Sequence, residues 1–206
     1  MNHDPRFQQA FEKHLPIKAV PYCLSLWKET PFSFHITKER MTKLGDFRYR
    51  SNQKIQTITI NYNLNPYQFL ITYIHEVAHL RTFAKYGLNI KPHGTEWKRS
   101  FQELMSPLLT HEVFPTEILI PLRRHMINPK ASSSADLWLM MEVKKFDKKS
   151  TSKNKFYLNQ IKSGNKFELR GRVFEKLELR RTRVLCLEVS SGKKFLISSH
   201  AEVKLL

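Results

Sequence analysis

The stretch that most constrains this chain holds two histidines and a glutamate, His75-Glu76-Val77-Ala78-His79. On an α-helix, side chains four residues apart lie on nearly the same face, so both imidazoles can reach one metal ion. The glutamate between them points beside that ion and does not bind it. This H-E-x-x-H arrangement is typical of zinc hydrolases, in which the two histidines bind the metal and the glutamate acts as a general base.

The residues around the motif predict one long, buried helix. Asn65-Pro66 is a helix start, because asparagine caps free backbone N–H groups and proline fits the first helical position. Gly87, which follows a lysine in the last turn, is a helix stop. Apolar residues cover most of the circumference between these points, as in a buried helix. Ordinary core histidines are the alternative, but burying three ionisable groups without partners is costly.

A catalytic zinc ion needs a third protein ligand and one open position for water. The best candidate is His93, because a helical apolar period from Trp97 to Leu108 begins one turn after it. This spacing places His93 at the N-terminal end of the apolar face of a helix that packs on the motif helix. Glu96 and Glu103 are acidic alternatives for the third ligand. We interpret the remaining histidines as surface or ordinary core residues: His3, His14, His35, His111, His125 and His200.

Charge is the second informative property of the chain. The net charge is +17 over 206 residues. Residues 1–143 hold 18 Lys+Arg and 12 Asp+Glu, whereas residues 144–206 hold 17 and 6, which gives net charges of +6 and +11. Such a local excess predicts a polyanionic partner, since phosphate contacts gain affinity by counterion release. A basic surface that is merely solvated is the alternative, and the charge alone leaves RNA as open as DNA.

The cysteines and the hydropathy of the chain indicate the cellular compartment in which the protein resides. Cys23 and Cys186 lie far apart without a C-x-x-C spacing, which favours free thiols in a reducing compartment. No stretch resembles a signal peptide, and the apolar runs are too short to cross a bilayer. We therefore expect a cytoplasmic protein without a membrane partner, associated with the nucleoid if it is bacterial. The oligomeric state stays open, a monomer included.

Several of these features together resemble a known family. The HEVAHL sequence, the His93-Gly94 pair fourteen residues after His79 and the aromatic Trp97 are similar to the SprT-like domain, the metalloprotease domain of Spartan-type proteins. The upstream Thr42-Lys43-Leu44-Gly45 and the strand-like IQTITINYNL also match that domain. The resemblance covers approximately residues 5–125.

The resemblance implies a minimal zincin fold, zinc held by His75, His79 and His93, and Glu76 as the catalytic base. It also implies cleavage of proteins that are bound or crosslinked to DNA. Many members of the family carry a four-cysteine zinc ribbon after the protease domain. This chain, with two cysteines, has none.

The rest of the chain predicts a small sheet before the motif helix and a second sheet near the C-terminus. A short helix is expected over residues 137–146, with a strand as the alternative, and the polar, charged residues 147–155 are typical of a flexible linker. From residue 156, four or five short strands predict a small barrel of SH3 or OB type. Alternating apolar residues predict the three earlier strands over residues 32–36, 47–50 and 58–64.

We therefore predict an α+β chain. A minimal zincin-like domain, made of helices and a small three-stranded sheet, is followed by a small all-β, barrel-like domain. The predicted divisions are residues 1–129 for the SprT-like metalloprotease domain, 130–155 for a helix and basic linker, and 156–206 for a basic barrel that binds nucleic acid. The predicted nucleic-acid contacts are Arg180, Arg181, Arg183, Lys193 and Lys194.

The functional hypothesis is a zinc-dependent metalloendopeptidase that cleaves proteins bound or crosslinked to DNA, as in crosslink repair. Its mechanism would follow the H-E-x-x-H peptidases, with a third histidine ligand. One alternative is a zinc peptidase whose substrates are unrelated to DNA. The other is a non-enzymatic nucleic-acid-binding protein with a structural metal, which Glu76 disfavours because a structural site needs no base.

Overall fold

The computed structural model describes residues 5–40, 42–130, 136–147, 155–181, 183–199 and 201–206. The chain divides into two compact units, Met1–Lys148 and Lys149–Leu206. Each unit has its own hydrophobic core. Parts of the predicted helix and basic linker, residues 131–135 and 148–154, lie outside the described residues, and the predicted three-part division stays a prediction.

The first unit contains six α-helices and three strands among its described residues. The helices are α1 Pro5–His14, α2 Val20–Glu29, α3 Pro66–Tyr86, α4 Thr95–Met105, α5 Thr116–Ile127 and α6 Leu137–Lys144. The strands are β1 Ser33–Thr37, β2 Gly45–Arg48 and β3 Thr57–Asn61.

The three strands form a mixed sheet in the order β1-β3-β2. β1 runs parallel to β3, and β2 runs antiparallel to it. Side chains alternate between the two faces of a strand, and Ile58 and Ile60 of the central strand are fully buried on the core face. Because β3 lies in the middle of the sheet, β1 and β2 are the two edge strands, which the sequence alone did not reveal.

Helix α3 lies in the centre of the first unit and is buried on most sides. Phe69, Leu70, Tyr73 and Ile74 are all inaccessible to solvent, as the apolar circumference predicts. The Tyr73 hydroxyl donates a 2.9 Å hydrogen bond to the carbonyl of Cys23 on α2, so this buried polar group is satisfied. Helices α1 and α2, which precede the sheet, supply part of the same core.

The two ends of α3 follow the predicted signals. Asn65 Oδ1 accepts hydrogen bonds from the backbone N–H groups of Tyr67 and Gln68, at 3.1 and 3.0 Å. The same side chain donates through Nδ2 to the carbonyl of Val143, at 3.0 Å, so one residue caps α3 and holds the end of α6. Gly87 ends the helix with a φ of 71°, a left-handed conformation that glycine adopts without strain.

The second unit is a six-stranded antiparallel sheet in the order β4-β9-β5-β6-β7-β8. Its small core includes Phe167, Phe174, Val184 and Val203. Among the described residues, the edge strands β4 and β8 do not pair with each other, so the sheet is not closed into a barrel. The strands are β4 Lys155–Tyr157, β5 Lys166–Leu169, β6 Arg172–Arg180, β7 Arg183–Glu188, β8 Lys194–Ser198 and β9 Glu202–Leu205.

One lysine of the basic C-terminal region is buried. Lys176 on β6 is 5% exposed, and its ammonium donates to the backbone carbonyls of Leu158, at 2.9 Å, and of Ile161. A buried charge is tolerated only when its hydrogen bonds are made. Lys176 therefore fixes the turn at 158–161 to the sheet and is not part of a charged surface.

The predicted fold class is confirmed, with one correction. The chain is α+β, with a three-stranded sheet among helices followed by an all-β unit, but that unit is an open sheet of six strands and not a barrel of four or five. No helix in the described part of the chain is long and apolar enough to cross a membrane.

Candidate metal centre

Three histidine side chains converge on one point beside α3. His75 and His79 lie one turn apart on α3, and their Nε2 atoms are 3.2 Å apart. The Nε2 atom of His93 lies 3.0 Å from that of His79 and 3.3 Å from that of His75. Within the described residues, these three form a group whose ligand atoms could hold one metal ion.

The geometry of the three nitrogens fits a metal ion better than a hydrogen-bond network. Each nitrogen of a neutral imidazole is either a donor or an acceptor. With three nitrogens in mutual contact, at least one contact must join two donors or two acceptors. Zinc–nitrogen bonds of about 2.0–2.1 Å in tetrahedral geometry place neighbouring nitrogens about 3.3 Å apart, close to the 3.0–3.3 Å observed.

His93 reaches the centre from a turn before α4, and not from the helix itself as the periodicity predicts. Its φ is 57°, a left-handed conformation that is uncommon for residues other than glycine. Gly94 follows as the N-cap of α4, and its N–H donates to the carbonyl of Lys91 at 2.9 Å. This tight turn directs the imidazole back towards α3, and helical periodicity alone does not show it.

Trp97, in the first turn of α4, packs against all three histidine rings. Its ring centroid lies 4.7, 5.3 and 4.7 Å from those of His75, His79 and His93. The indole is 1% exposed and stacks on Phe101 at 5.0 Å. Trp97 therefore fixes the orientation of the three imidazoles and keeps water from one side of the cluster.

The environment keeps the imidazoles neutral, which is the form that binds metals. Burial holds the pKa of His75 well below its usual value, and the neighbouring His79 and His93 lower it further. Burial likewise lowers the pKa of His79 to about 4 and lowers the pKa of His93. At neutral pH the centre offers three uncharged nitrogen ligands.

Glu76 lies beside the cluster and is held by strand β2. Its carboxylate is buried, at 6% exposure, and accepts a hydrogen bond from the backbone N–H of Phe47. Burial raises the pKa of Glu76 to about 8, and the Phe47 hydrogen bond opposes that rise. Without a metal this carboxyl is therefore largely protonated at neutral pH, and the positive charge of a bound metal ion would favour the carboxylate form that a general base needs.

Gly45 makes this close approach of β2 possible. A methyl group at Gly45 would lie 2.6 Å from Cγ2 of Thr72 and 2.7 Å from Oε1 of Glu76. Both separations are shorter than van der Waals contact allows, so only glycine fits. The strand can therefore pass directly over the carboxylate that it hydrogen-bonds.

A cavity of about 200 Å³ opens next to Glu76 and His75. The edge strand β2 and the segment before it form one wall, and side chains of α3, α4 and α5 form the others. The cavity is wide enough for a peptide side chain. Its lining residues are Thr42, Lys43, Leu44, Gly45, Ile71, Thr72, His75, Glu76, Phe101, His125 and Lys130.

His125 is a site residue that sequence reasoning alone misses. The sequence places it among surface or ordinary core histidines, but it lines the cavity together with His75 and Glu76. Its side chain is 2% exposed, and Nδ1 lies 3.2 Å from a carboxylate oxygen of Asp136. Burial lowers the pKa of His125, and Asp136 opposes that effect. No sequence motif connects His125 with Asp136. They meet only because the fold brings α5 next to the start of α6.

The acidic alternatives for the third ligand lie outside the histidine cluster. Glu103 is half-exposed and pairs with Arg99, at 3.1 Å, and with Arg81, at 3.8 Å. Glu96, in the first turn of α4, is not part of the group of ligand atoms that converge.

The five predicted nucleic-acid contacts are all exposed but do not form one cluster. Arg180 and Arg183 face each other across the β6–β7 hairpin, and Arg181 lies in its turn with a φ of 41°. Lys193 and Lys194 lie at the opposite end of β7, where Lys194 pairs with Leu187. Part of the charge is also compensated, since Arg180 pairs with Glu178 at 3.3 Å.

Comparison with known proteins supports the interpretation of the first unit. The model of the SprT-like family matches residues 22–117, a range that contains the sheet, the three histidines and Glu76. Comparison with curated proteins and with solved structures found no match. Residues 22–117 of this chain are therefore a SprT-like family domain, whose three clustered histidines could hold a metal ion.

Proposed function

We propose that this protein is a zinc-dependent metalloendopeptidase. The observation that carries the proposal is a buried carboxylate, Glu76, that lines one cavity with His75, a member of the cluster of three histidines. Zinc is the metal that such a set of three nitrogen ligands favours in hydrolases. When bound, zinc supplies a water molecule whose pKa lies near neutrality and a positive charge for the developing oxyanion.

The chain's own residues would carry the proton transfers. Glu76 takes a proton from the attacking water and later gives it to the leaving amine. The Phe47 N–H holds the carboxylate in place during both transfers. Trp97 and Phe101 keep the neighbouring space dry, which strengthens the electrostatic interactions there.

Strand β2 is suited to hold the substrate backbone. Among the described residues it pairs with β3 on one side only, and its other edge borders the cavity beside Glu76. An extended peptide can add to such an edge as a further strand, with backbone hydrogen bonds that do not depend on sequence. The cavity would then take one substrate side chain.

We further propose that the substrates are proteins bound or crosslinked to DNA. The net charge of +11 over residues 144–206 and the family to which the domain belongs support this proposal. Exposed arginines at the β6–β7 hairpin are suited to phosphate contacts. Binding enzyme and substrate to the same polyanion raises their effective concentration and gives selectivity without a demanding side-chain pocket.

Two experiments separate this function from its alternatives. The first measures cleavage of a DNA-binding protein and of a neutral unfolded protein, each with and without DNA, and we expect DNA to stimulate only the former. Equal rates in all four conditions would leave a peptidase that is unrelated to DNA.

The second compares the wild type with Glu76→Gln, which keeps the shape of the side chain but cannot accept the proton. We expect unchanged zinc content and a loss of about 10²- to 10⁴-fold in cleavage rate. Cleavage within a few-fold of the wild type would exclude Glu76 as the base. If neither protein cleaves any substrate, the structural-metal alternative holds.

A further inference from the structure

The outer face of the three-stranded sheet, which is turned away from α3, is polar. Ile58 and Ile60 point to the core, so their neighbours Thr57 and Thr59 point to the opposite face, where Arg40 covers Thr59 and donates a 2.8 Å hydrogen bond to its hydroxyl. The register places Ser33 beside Thr57 and His35 beside Thr59, which extends this polar surface across β1. Among the described residues, the outer face carries no apolar stripe that a further layer of protein would have to cover.

This face is the floor of a wide depression of about 980 Å³, which we call the sheet groove. Three cations line it, Arg48 at the end of β2 and Arg50 and Lys54 in the loop that follows. None of the described residues that line it is acidic. They are Ser33, His35, Ile36, Thr37, Arg48, Arg50, Gln53, Lys54, Ile55, Thr57 and Thr59.

The sequence around Arg50 and Lys54 offers few acidic partners for their charges. The chain contains no Asp or Glu between Asp46 and Glu76. Asp46 itself pairs with Arg48, at 2.6 Å, and with Lys43, at 2.9 Å. The sheet groove therefore carries excess positive charge.

The loop that carries these cations is held in one conformation. Gln56 is buried, at 7% exposure, and its Oε1 accepts a 2.7 Å hydrogen bond from the N–H of Arg50. Its Nε2 donates to the carbonyls of Arg50 and Gln53, at 3.3 and 2.6 Å. One buried amide thus fixes the backbone on which Arg50 and Lys54 stand, so less conformational entropy is lost when a ligand binds.

We propose that the sheet groove binds the phosphate backbone of a nucleic-acid strand. Arginine, lysine and Ser/Thr hydroxyl groups are the side chains that contact phosphate oxygens without reading sequence, and the groove combines all three kinds. This site lies in the protease unit itself and uses none of the basic residues of the C-terminal hairpins. The proposal rests on the DNA-directed function above and deepens it, because it gives the unit with the metal centre its own contact with the polyanion.

The test measures binding and does not depend on cleavage. In the inactive Glu76→Gln full-length protein, the affinity for a 20-nucleotide single strand and for the matching duplex is measured across a range of salt concentrations. The test variant adds Arg50→Gln and Lys54→Gln. The control variant instead adds Lys18→Gln and Lys28→Gln. These substitutions remove the same number of positive charges from two exposed lysines outside the groove.

We expect the test variant to weaken binding to every sequence and to reduce the log–log salt slope by about 2, because each phosphate that is no longer bound reduces it by about 1. The control variant should behave as the parent. Since Arg50 and Lys54 are exposed, the thermal unfolding midpoint and zinc content of the variant should not change.

Four results would overturn the proposal. An unchanged slope and affinity in the test variant would show that the groove does not contact phosphate, even if the parent protein binds DNA. Equal losses of affinity in the test and control variants would show that binding depends only on the net charge of the protein and not on the groove. Competition by polyglutamate as effective as that by the oligonucleotide would assign the groove to acidic protein segments. If the parent itself binds no nucleic acid, the DNA-directed part of the proposed function fails as well.

Discussion

At Gly45 a single missing methyl group decides whether the base can be placed. Any Cβ at this position would collide with Thr72 and with the carboxylate of Glu76. A glycine is needed here for close packing and not for backbone freedom, so alanine keeps the strand conformation but displaces the base.

We therefore expect Gly45→Ala to retain the metal and lose most of its activity. A misplacement of about 1 Å at a reacting group can reduce the rate about 10²-fold. The measurement is zinc content together with the cleavage rate, and Ser51→Ala, in the exposed β2–β3 loop, serves as the control. Cleavage within twofold of the wild type would show that Glu76 does not need this contact.

The carboxyl of Glu76 also predicts how the metal-free protein responds to pH. Its pKa is raised from 4.5 to about 8, so the folded state retains a proton that the unfolded state has released. The contribution of this group to stability is complete below pH 4.5 and is lost as the pH rises towards 8. The buried histidines act in the opposite direction, because their lowered pKa values cost stability as the pH falls below 6.5.

The prediction is tested by urea unfolding of the metal-free wild type and Glu76→Gln between pH 5 and 8. The stability of the wild type relative to the variant should fall with rising pH, with a slope approaching about 1.4 kcal/mol per pH unit. Added zinc should reduce this slope, because a nearby cation favours the carboxylate. Parallel stability curves for the two metal-free proteins would contradict the raised pKa.

At the scale of single elements, α3 was the most predictable part of the chain. Its cap at Asn65, its stop at Gly87 and its apolar circumference are local signals, and each is present in the structure. The turn that carries His93 was not predictable, because a left-handed residue other than glycine has no strong sequence signal. The open form of the second sheet depends on pairing between strands that are distant in sequence, since β9 lies between β4 and β5, and strand periodicity does not contain that information.

Asn65 should contribute more stability than an ordinary helix cap. Besides capping two N–H groups of α3, it donates to the carbonyl of Val143 and to a carboxylate oxygen of Asp147, at 3.0 and 2.6 Å. We expect Asn65→Ala to destabilise the first unit by about 2 kcal/mol or more, above the approximately 1 kcal/mol typical of a cap. Urea unfolding measures the loss, with the exposed neighbour Asn63→Ala as control. A loss of only about 1 kcal/mol relative to the control would show that the bonds to Val143 and Asp147 add nothing beyond the cap.

At the scale of the whole molecule, the two cores share no residue. Every buried residue of the first core lies between Phe11 and Val143, and every buried residue of the second lies between Leu158 and Val203. The metal ligands all belong to the first. We therefore expect a chain truncated after Lys149 to fold and to bind one zinc ion with unchanged affinity.

The same truncation should weaken DNA binding, because most of the net charge lies beyond residue 143. If the sheet groove also contacts phosphate, the truncated protein should keep a residual affinity with a smaller salt slope. Equilibrium binding of the full-length and truncated proteins to one duplex measures both quantities. Unchanged DNA binding after truncation would remove the C-terminal sheet from the nucleic-acid surface.

The packing of Trp97 against the three imidazoles has a practical consequence. A tryptophan that is inaccessible to bulk water and in ring contact with the metal ligands should change its fluorescence when those ligands rearrange. The other two tryptophans, Trp27 and Trp138, lie on α2 and α6, so replacing both with phenylalanine leaves Trp97 as the one tryptophan in the sequence, and excitation above the tyrosine band selects it. The protein thus carries its own optical probe of metal occupancy, which can be read in real time without an added dye.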